Sequence, residues 1–158
     1  YIGIGLDNPA MRTLANRAQN IQILKAEGPA PYISGLMLEL GGDFTVFNGR
    51  NGVELIDNLR VGCAGTIPGV ECCDLQVQIY NSWRNGDHSA ARAQFRHVLP
   101  LLSYLMLTID HLLCYGKRLA AQRLGIAQVH DRQPAMTARA VDLDTLEYWS
   151  RHLESFPE

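Results

Sequence analysis

Lys25 is set in the run Ile21-Gln22-Ile23-Leu24-Lys25-Ala26, a mostly apolar stretch of strand length. Of fourteen basic residues only Lys25 and Lys117 are lysines. Arginine keeps its proton near neutral pH, whereas a desolvated lysine loses it. Ile23, Leu24 and Ala26 are expected to desolvate the ammonium and bring its pKa toward neutrality. A neutral amine attacks a keto carbon, and the protonated imine that forms is an electron sink for carbon–carbon cleavage or dehydration. The same spacing also fits a strand-end lysine that pairs with Glu27 or carries its head into water. On spacing alone the two readings stand level.

The other reactive side chains have plainer explanations. His111 and Tyr115 lie one helical turn apart and could face one site, but a helix–helix contact accounts for them better. His130-Asp131-Arg132 could hold an anion, and a turn braced by its own side chains is the simpler reading. His88, His97 and His152 lie on polar helical stretches and read as surface residues. Cys63, Cys72, Cys73 and Cys114 form no C-x-x-C pair and read as reduced, partly buried thiols. No serine sits in a nucleophile-elbow motif, and no phosphate-binding G-x-x-x-x-G-K-[ST] loop occurs. No metal or organic cofactor is implied.

Strands alternate with helices around Lys25. Tyr1–Leu6 reads as extended, and Asn8 as an N-cap with Pro9 opening a helix to about Ala18. After the strand Ile21–Ala26, a helix runs through Leu36 and Leu40 to a stop at Gly41-Gly42. Asp43–Phe47 is a second strand, Val53–Arg60 a short helix and Gly62–Ile67 a third strand. Helices capped by Asp74 and Asp87 follow, then a long apolar helix from about Leu101 to Leu124 beyond Pro100. The Leu101–Leu113 stripe reads as a core or subunit-packing face rather than a membrane element. Asp144-x-x-Glu147 resembles a capping box before a final helix.

Alternating strands and helices predict an α/β fold with a parallel sheet. With 158 residues, 47% apolar, 19% charged and a formal net charge of -2, nothing points to nucleic acid or an anionic membrane. No apolar run approaches a bilayer-spanning length, and a cytoplasmic location is the default expectation. Three parallel strands cannot close a barrel of eight, and alone they leave two unpaired edges. The chain opens abruptly on Tyr1-Ile2-Gly3, so the expectation is a sheet completed by residues that this chain does not hold.

Ile23-Leu24-Lys25-Ala26-Glu27 resembles the strand-six motif of the dihydrodipicolinate synthase / N-acetylneuraminate lyase superfamily of class I aldolases, whose lysine forms the Schiff base. Gly5-Leu6-Asp7 and the helix after it resemble that family's fifth helix and lead-in. Phe47-Asn48-Gly49 resembles the end of strand seven, and Gly62-Cys63-Ala64-Gly65-Thr66-Ile67-Pro68-Gly69 strand eight with its glycine-rich turn. Lys117, with the Ala-rich turn and Leu124-Gly125, resembles the family's lysine-bearing C-terminal helix. The resemblance implies the C-terminal part of a TIM (β/α)8 barrel, strands six to eight, over residues 1–99, and a C-terminal helical extension over residues 100–158.

The resemblance also implies Lys25 as the imine-forming nucleophile. Gly49 and Ile67 would offer main-chain groups to the substrate's carboxylate or keto end, and Arg50 and Asn51 would meet its distal part. The bland alternatives are tight turns at Gly49 and Gly65 and a solvated loop at 50–51. The family's carboxylate-binding loop and its proton-shuttling tyrosine would precede residue 1, and Tyr1 falls a few positions too late to be that tyrosine. Thr66-Ile67-Pro68-Gly69 and Cys114-Tyr115-Gly116-Lys117-Arg118 resemble the sugar-acid branch of dehydratases and aldolases. Two functions are therefore expected to compete. One is part of a Schiff-base lyase acting on pyruvate or a 2-keto (deoxy sugar) acid, inactive without a missing N-terminal half-barrel and otherwise a homo-oligomer (dimer or tetramer). The other is a non-catalytic half-barrel serving as an interaction or assembly module.

Overall fold

The computed structural model describes residues 5–153, which form two units parting between Pro68 and Gly69. Of the extended stretch expected at Tyr1–Leu6, residues 1–4 lie outside the described residues.

The first unit alternates helix and strand. Asn8–Arg17 (α1) precedes Ile23–Ala26 (β1), Ala30–Leu40 (α2) leads to Thr45–Asn48 (β2), and Leu55–Arg60 (α3) leads to Gly65–Thr66 (β3). The strands form one parallel sheet in the order β1-β2-β3, with the connections that parallel neighbours require. Lys25 pairs with Phe47, Ala26 with Asn48, and Phe47 in turn with Gly65. The α/β alternation and parallel sheet expected from the sequence are thus present.

Side-chain alternation divides the sheet into two faces. Ala26, Phe44 and Val46 sink into a core with Met11, Ile33, Leu36, Leu40 and Cys63, against which Leu24 also packs. Ile23, Lys25 and Thr45 occupy the opposite face and are exposed there. Three boundaries move from their expected places. Asp7 rather than Asn8 caps α1, its Oδ1 accepting the Ala10 N–H at 2.8 Å, because the Asn8 amide donates instead to Glu39 Oε2 at 2.8 Å. β3 shrinks to two residues because the Cys63 N–H turns back to Asn58 O at 3.0 Å, and only Ala64 onward bonds to β2. α3 begins at Leu55 rather than Val53, after a turn in which Asn51 takes a left-handed φ of 52°.

The second unit is helical: Cys73–Arg84 (α4), His88–Leu105 (α5), Ile109–His111 (α6), Lys117–Arg123 (α7) and Ala140–Ser150 (α8). Asp87 caps α5 as expected, accepting the Ala90 N–H at 2.9 Å. The expected apolar helix 101–124 does not exist. α5 runs straight through Pro100, where burial of Val98, Leu101, Leu102 and Leu105 outweighs the ~3 kcal/mol that an interior proline costs. The chain then breaks at residues 106–108, and the Thr108 hydroxyl caps a new helix by accepting the His111 N–H at 3.0 Å. Leu112–Gly116 widen into a π-type turn before α7. The Leu101–Leu113 stripe splits accordingly, with Leu101 fully buried and Leu113 exposed.

Asp74 does not cap α4; its carboxylate pairs with Arg123 instead. The capping box at Asp144 and Glu147 also fails, since α8 starts five residues earlier with Arg139 as its cap residue. Asp142 holds that start by accepting from the Arg139 guanidinium at 2.6 Å and the Tyr115 hydroxyl at 2.7 Å. Among the described residues no single helix is long and apolar enough to cross a membrane; α5 and the 109–123 segment reach that length and composition only as a pair bent by 105°.

Candidate active site at the carboxyl end of the sheet

Lys25 is the last residue but one of β1, on the uncovered sheet face, with its side chain 56% exposed. Its stem lies across the backbone at Gly49: a Cβ there would stand 2.6 Å from Lys25 Cε and 3.3 Å from Glu27 Cδ. Glycine at 49 is what allows this approach. Glu27, two residues on and of the same parity, brings Oε2 to 4.0 Å from the ammonium. The desolvation expected from Ile23, Leu24 and Ala26 is not what the structure gives, since the Lys25 side chain stays 56% exposed. Leu24 and Ala26 turn to the opposite face, and Ile23 is itself 67% exposed. Phe47, beside Lys25 in register, is the apolar residue on the correct face, with the side-chain-free Gly65 beyond it.

Lys25 and Glu27 open on a cavity of about 670 Å³ along the free edge of β1, lined also by Leu6, Met11, Ile23 and Tyr32. The other expected site residues are placed less simply. The Gly49 N–H donates to Ala26 O at 2.7 Å and the Ile67 N–H to Asn48 O at 2.9 Å, so neither amide is the group that would reach a substrate. Arg50 Nε donates to Glu54 Oε1 at 3.0 Å. Asn51 is buried, so residue 51 does not belong to a solvated loop.

Sequence reasoning missed the amides beneath this site. Asn48 is fully buried: its Nδ2 donates to Gly28 O at 3.0 Å, and its Oδ1 accepts the Gly28 N–H at 3.4 Å. Nδ2 also lies 3.4 Å from Asn58 Oδ1, while Asn58 Nδ2 and Glu54 Oε2 are buried without a partner. A polar residue two places beyond a lysine of strand parity was the available signal for Glu27; long-range partners such as Asn48 and Asn58 leave none.

Several charged side chains of the second unit pair within it. Arg123, its side chain 4% exposed, donates to both oxygens of Asp74 at 2.8 and 2.7 Å and to Glu71 O at 2.7 Å. Those bonds hold the Asp74 carboxyl below its ordinary range. Asp131 is gripped by Lys117 at 2.6 Å and Arg118 at 2.5 Å, so the 130–132 turn is braced by α7 rather than by itself. His111 lies tilted against Tyr115 at 4.5 Å and edge-on to Tyr104 at 4.7 Å, the helix contact expected of it. Burial pushes the Tyr104 hydroxyl up to about 12, and burial likewise takes the Cys72 thiol up to about 12. Among the described residues no group of three or more His, Cys, Asp or Glu side chains could hold a metal ion.

No family model matches the chain. Among curated proteins it is similar to the L-2-keto-3-deoxyarabonate dehydratase of Azospirillum brasilense, 27% identical over 129 residues, covering 77% of this chain and 42% of the dehydratase. Among solved structures it is similar to dihydrodipicolinate synthase from Rhodopseudomonas palustris, with TM-score 0.81, 19% identity, and coverage of 94% of this chain and 51% of the synthase. The match extends to a prophage protein of the dihydrodipicolinic acid synthase family from E. coli K12, solved with pyruvate, at TM-score 0.77, 20% identity, and coverage of 96% and 52%.

The chain resembles the C-terminal part of the dihydrodipicolinate synthase / N-acetylneuraminate lyase superfamily. It spans 42% of the curated relative and about half of these solved structures. The superfamily's fold explains why Lys25 and Glu27 face an open groove. In that fold every barrel strand is paired on both sides, whereas among the described residues β1 and β3 each form an edge of the sheet.

Proposed function

We propose that this chain is the C-terminal part of a class I, Schiff-base aldolase or dehydratase acting on pyruvate or a 2-keto-3-deoxy sugar acid, with Lys25 as its nucleophile. The observation that carries the reading is the Lys25 amine at the carboxyl end of a parallel strand, on the exposed sheet face with its stem laid over Gly49. Similarity to a 2-keto-3-deoxy acid dehydratase supports the substrate class.

The chemistry follows from that placement. Once its proton has passed to a base, for which Glu27 is the nearest carboxylate, Lys25 Nζ attacks C2 of the keto acid. The carbonyl electron pair moves to oxygen and is protonated, giving a carbinolamine. The nitrogen lone pair then forms C=N as that oxygen leaves as water. The protonated imine accepts electrons released at C3. Loss of a C3 proton followed by departure of the C4 hydroxyl is dehydration; cleavage of C3–C4 is the aldolase outcome.

In this proposal the free edge of β1 pairs with an N-terminal half-barrel, which brings most carboxylate contacts and the proton shuttle. Residues 1–99 then complete the barrel, residues 100–158 form the helical extension, and the whole assembles as a dimer or tetramer. Turnover requires that half, whereas imine formation requires only the amine. The four free cysteines fit a reducing, cytoplasmic setting.

The two lysines make the test clean. Borohydride reduction of the chain with pyruvate, followed by peptide mass spectrometry, is expected to place the adduct on Lys25 at least about tenfold over Lys117. Equal labelling of both lysines, or an adduct confined to Lys117, overturns the proposal.

A further inference from the structure

The β1–β2 ladder does not stop where its strands do. Its last paired residues are Ala26 and Asn48. Beyond them the Gly49 N–H donates to Ala26 O at 2.7 Å. The Asn48 carboxamide then acts as a peptide group would, donating from Nδ2 to Gly28 O at 3.0 Å and accepting the Gly28 N–H at Oδ1 at 3.4 Å. Two ladder bonds are thus made by a side chain to Gly28, two residues past the end of β1. Asparagine suits this place because its amide carries both a donor and an acceptor at peptide geometry.

We infer that Asn48 is a positioning residue for the Lys25 amine. Ala26 and Glu27 lie between Lys25 and Gly28, and of this stretch Ala26 and Gly28 are tied to 48–49. Ala26 is held through its carbonyl, and Glu27 lies between the Ala26 and Gly28 anchors. Lys25 itself crosses Gly49 with no room for a Cβ. Gly28 is pinned from its other side by the Tyr32 ring, whose Cδ1 would stand 2.3 Å from a Cβ at 28. Asn58 Oδ1, 3.4 Å from Asn48 Nδ2, sets which way the carboxamide faces. The fully buried amide therefore fixes the height of residues 25–28 over Gly49 without reaching the groove. Free of it, the 27–29 turn could lift away and carry the Lys25–Glu27 pair with it.

This inference rests on the imine reading of Lys25, and the test separates the two. Asn48→Leu keeps the volume and removes both bonds. In pyruvate–borohydride trapping on the whole chain, the Lys25:Lys117 adduct ratio is expected to fall about tenfold. Lys117 labelling and the half-saturating pyruvate concentration should stay unchanged, and the buried Cys63 thiol should stay protected from alkylation, showing the first unit intact. An unchanged ratio in the folded variant overturns the positioning role while leaving the imine reading in place. A wild-type ratio near one removes both. Should Asn48→Leu expose Cys63, hydrogen exchange on the wild-type chain decides. The Gly28 amide is expected to exchange at least about tenfold more slowly than an open-turn amide, and exchange at the open-turn rate overturns the inference.

Discussion

Lys25 in the first unit has one carboxylate at 4.0 Å and a cavity in front of it, while Lys117 in the second has Asp131 at 2.6 Å and His130 O at 2.7 Å. The contrast extends to their surroundings. Around Lys25 the buried polar groups are amides that hold backbone, leaving the charged groups exposed on the sheet's uncovered face. In the second unit the charges are matched to one another, with Arg123 on Asp74, Arg118 on Asp131 and Arg139 on Asp142. One region leaves an amine exposed beside a cavity and the other uses cations as fasteners. Charge composition cannot tell them apart; geometry does.

The contrast breaks most sharply at Lys25 itself. Lys25→Arg keeps the cation but cannot form an imine, so pyruvate-dependent adducts on the 25-containing peptide are expected to fall to background. Lys117→Arg should leave the Lys25 adduct intact. Residual trapping that maps to neither change would erase the distinction.

Next in size is the fastening of the second unit. Asp74→Asn leaves the Arg123 guanidinium buried without its charge partner and is expected to cost about 3–5 kcal/mol in urea unfolding. The same pair sets an acid limit. The Asp74 carboxyl titrates lower folded than unfolded, so its contribution is complete above the unfolded value of about 4 and is lost as pH falls through the lowered folded value. Urea midpoints of the wild-type chain should fall over that window, and those of Asp74→Asn should fall less. Equal acid sensitivity would place the fastening elsewhere.

A smaller effect is expected at the start of α8. Tyr115→Phe removes the hydroxyl that donates to Asp142 at 2.7 Å and should cost about 1.5–3 kcal/mol, the range for a hydrogen bond to a charged group. Smallest is Glu27→Gln, which removes a half-exposed pairing at 4.0 Å and should change stability by less than about 1 kcal/mol. Its effect is expected instead in the rate of Lys25 labelling.

The strand–helix alternation of the first unit was legible because each strand is a compact apolar or β-branched run followed by a helix with a glycine stop, as at Gly41. Lys25, Gly49 and Ile67 could be placed at strand ends for the same reason. The long-range pairings were not legible. Nothing local marks Asp74 as the partner of Arg123 rather than a cap, since an acidic residue in a first helical turn suits both. The break at 106–108 was hidden because Thr108 sits inside an apolar run, and Pro100 looked like a boundary because the burial that overrides it is tertiary. Asn48 was read only as a neighbour of Gly49, because a side chain that completes a ladder has no periodicity of its own.

Imine formation expels the C2 oxygen of pyruvate as water, and hydrolysis returns an oxygen from solvent, so a working Lys25 must exchange that oxygen catalytically. Loss of label from [2-18O]pyruvate, followed by mass spectrometry against the Lys25→Arg chain as baseline, therefore tests the central claim without reductant or turnover. The account predicts exchange well above that baseline, undiminished by Lys117→Arg. Exchange equal in the native chain and in Lys25→Arg would contradict it.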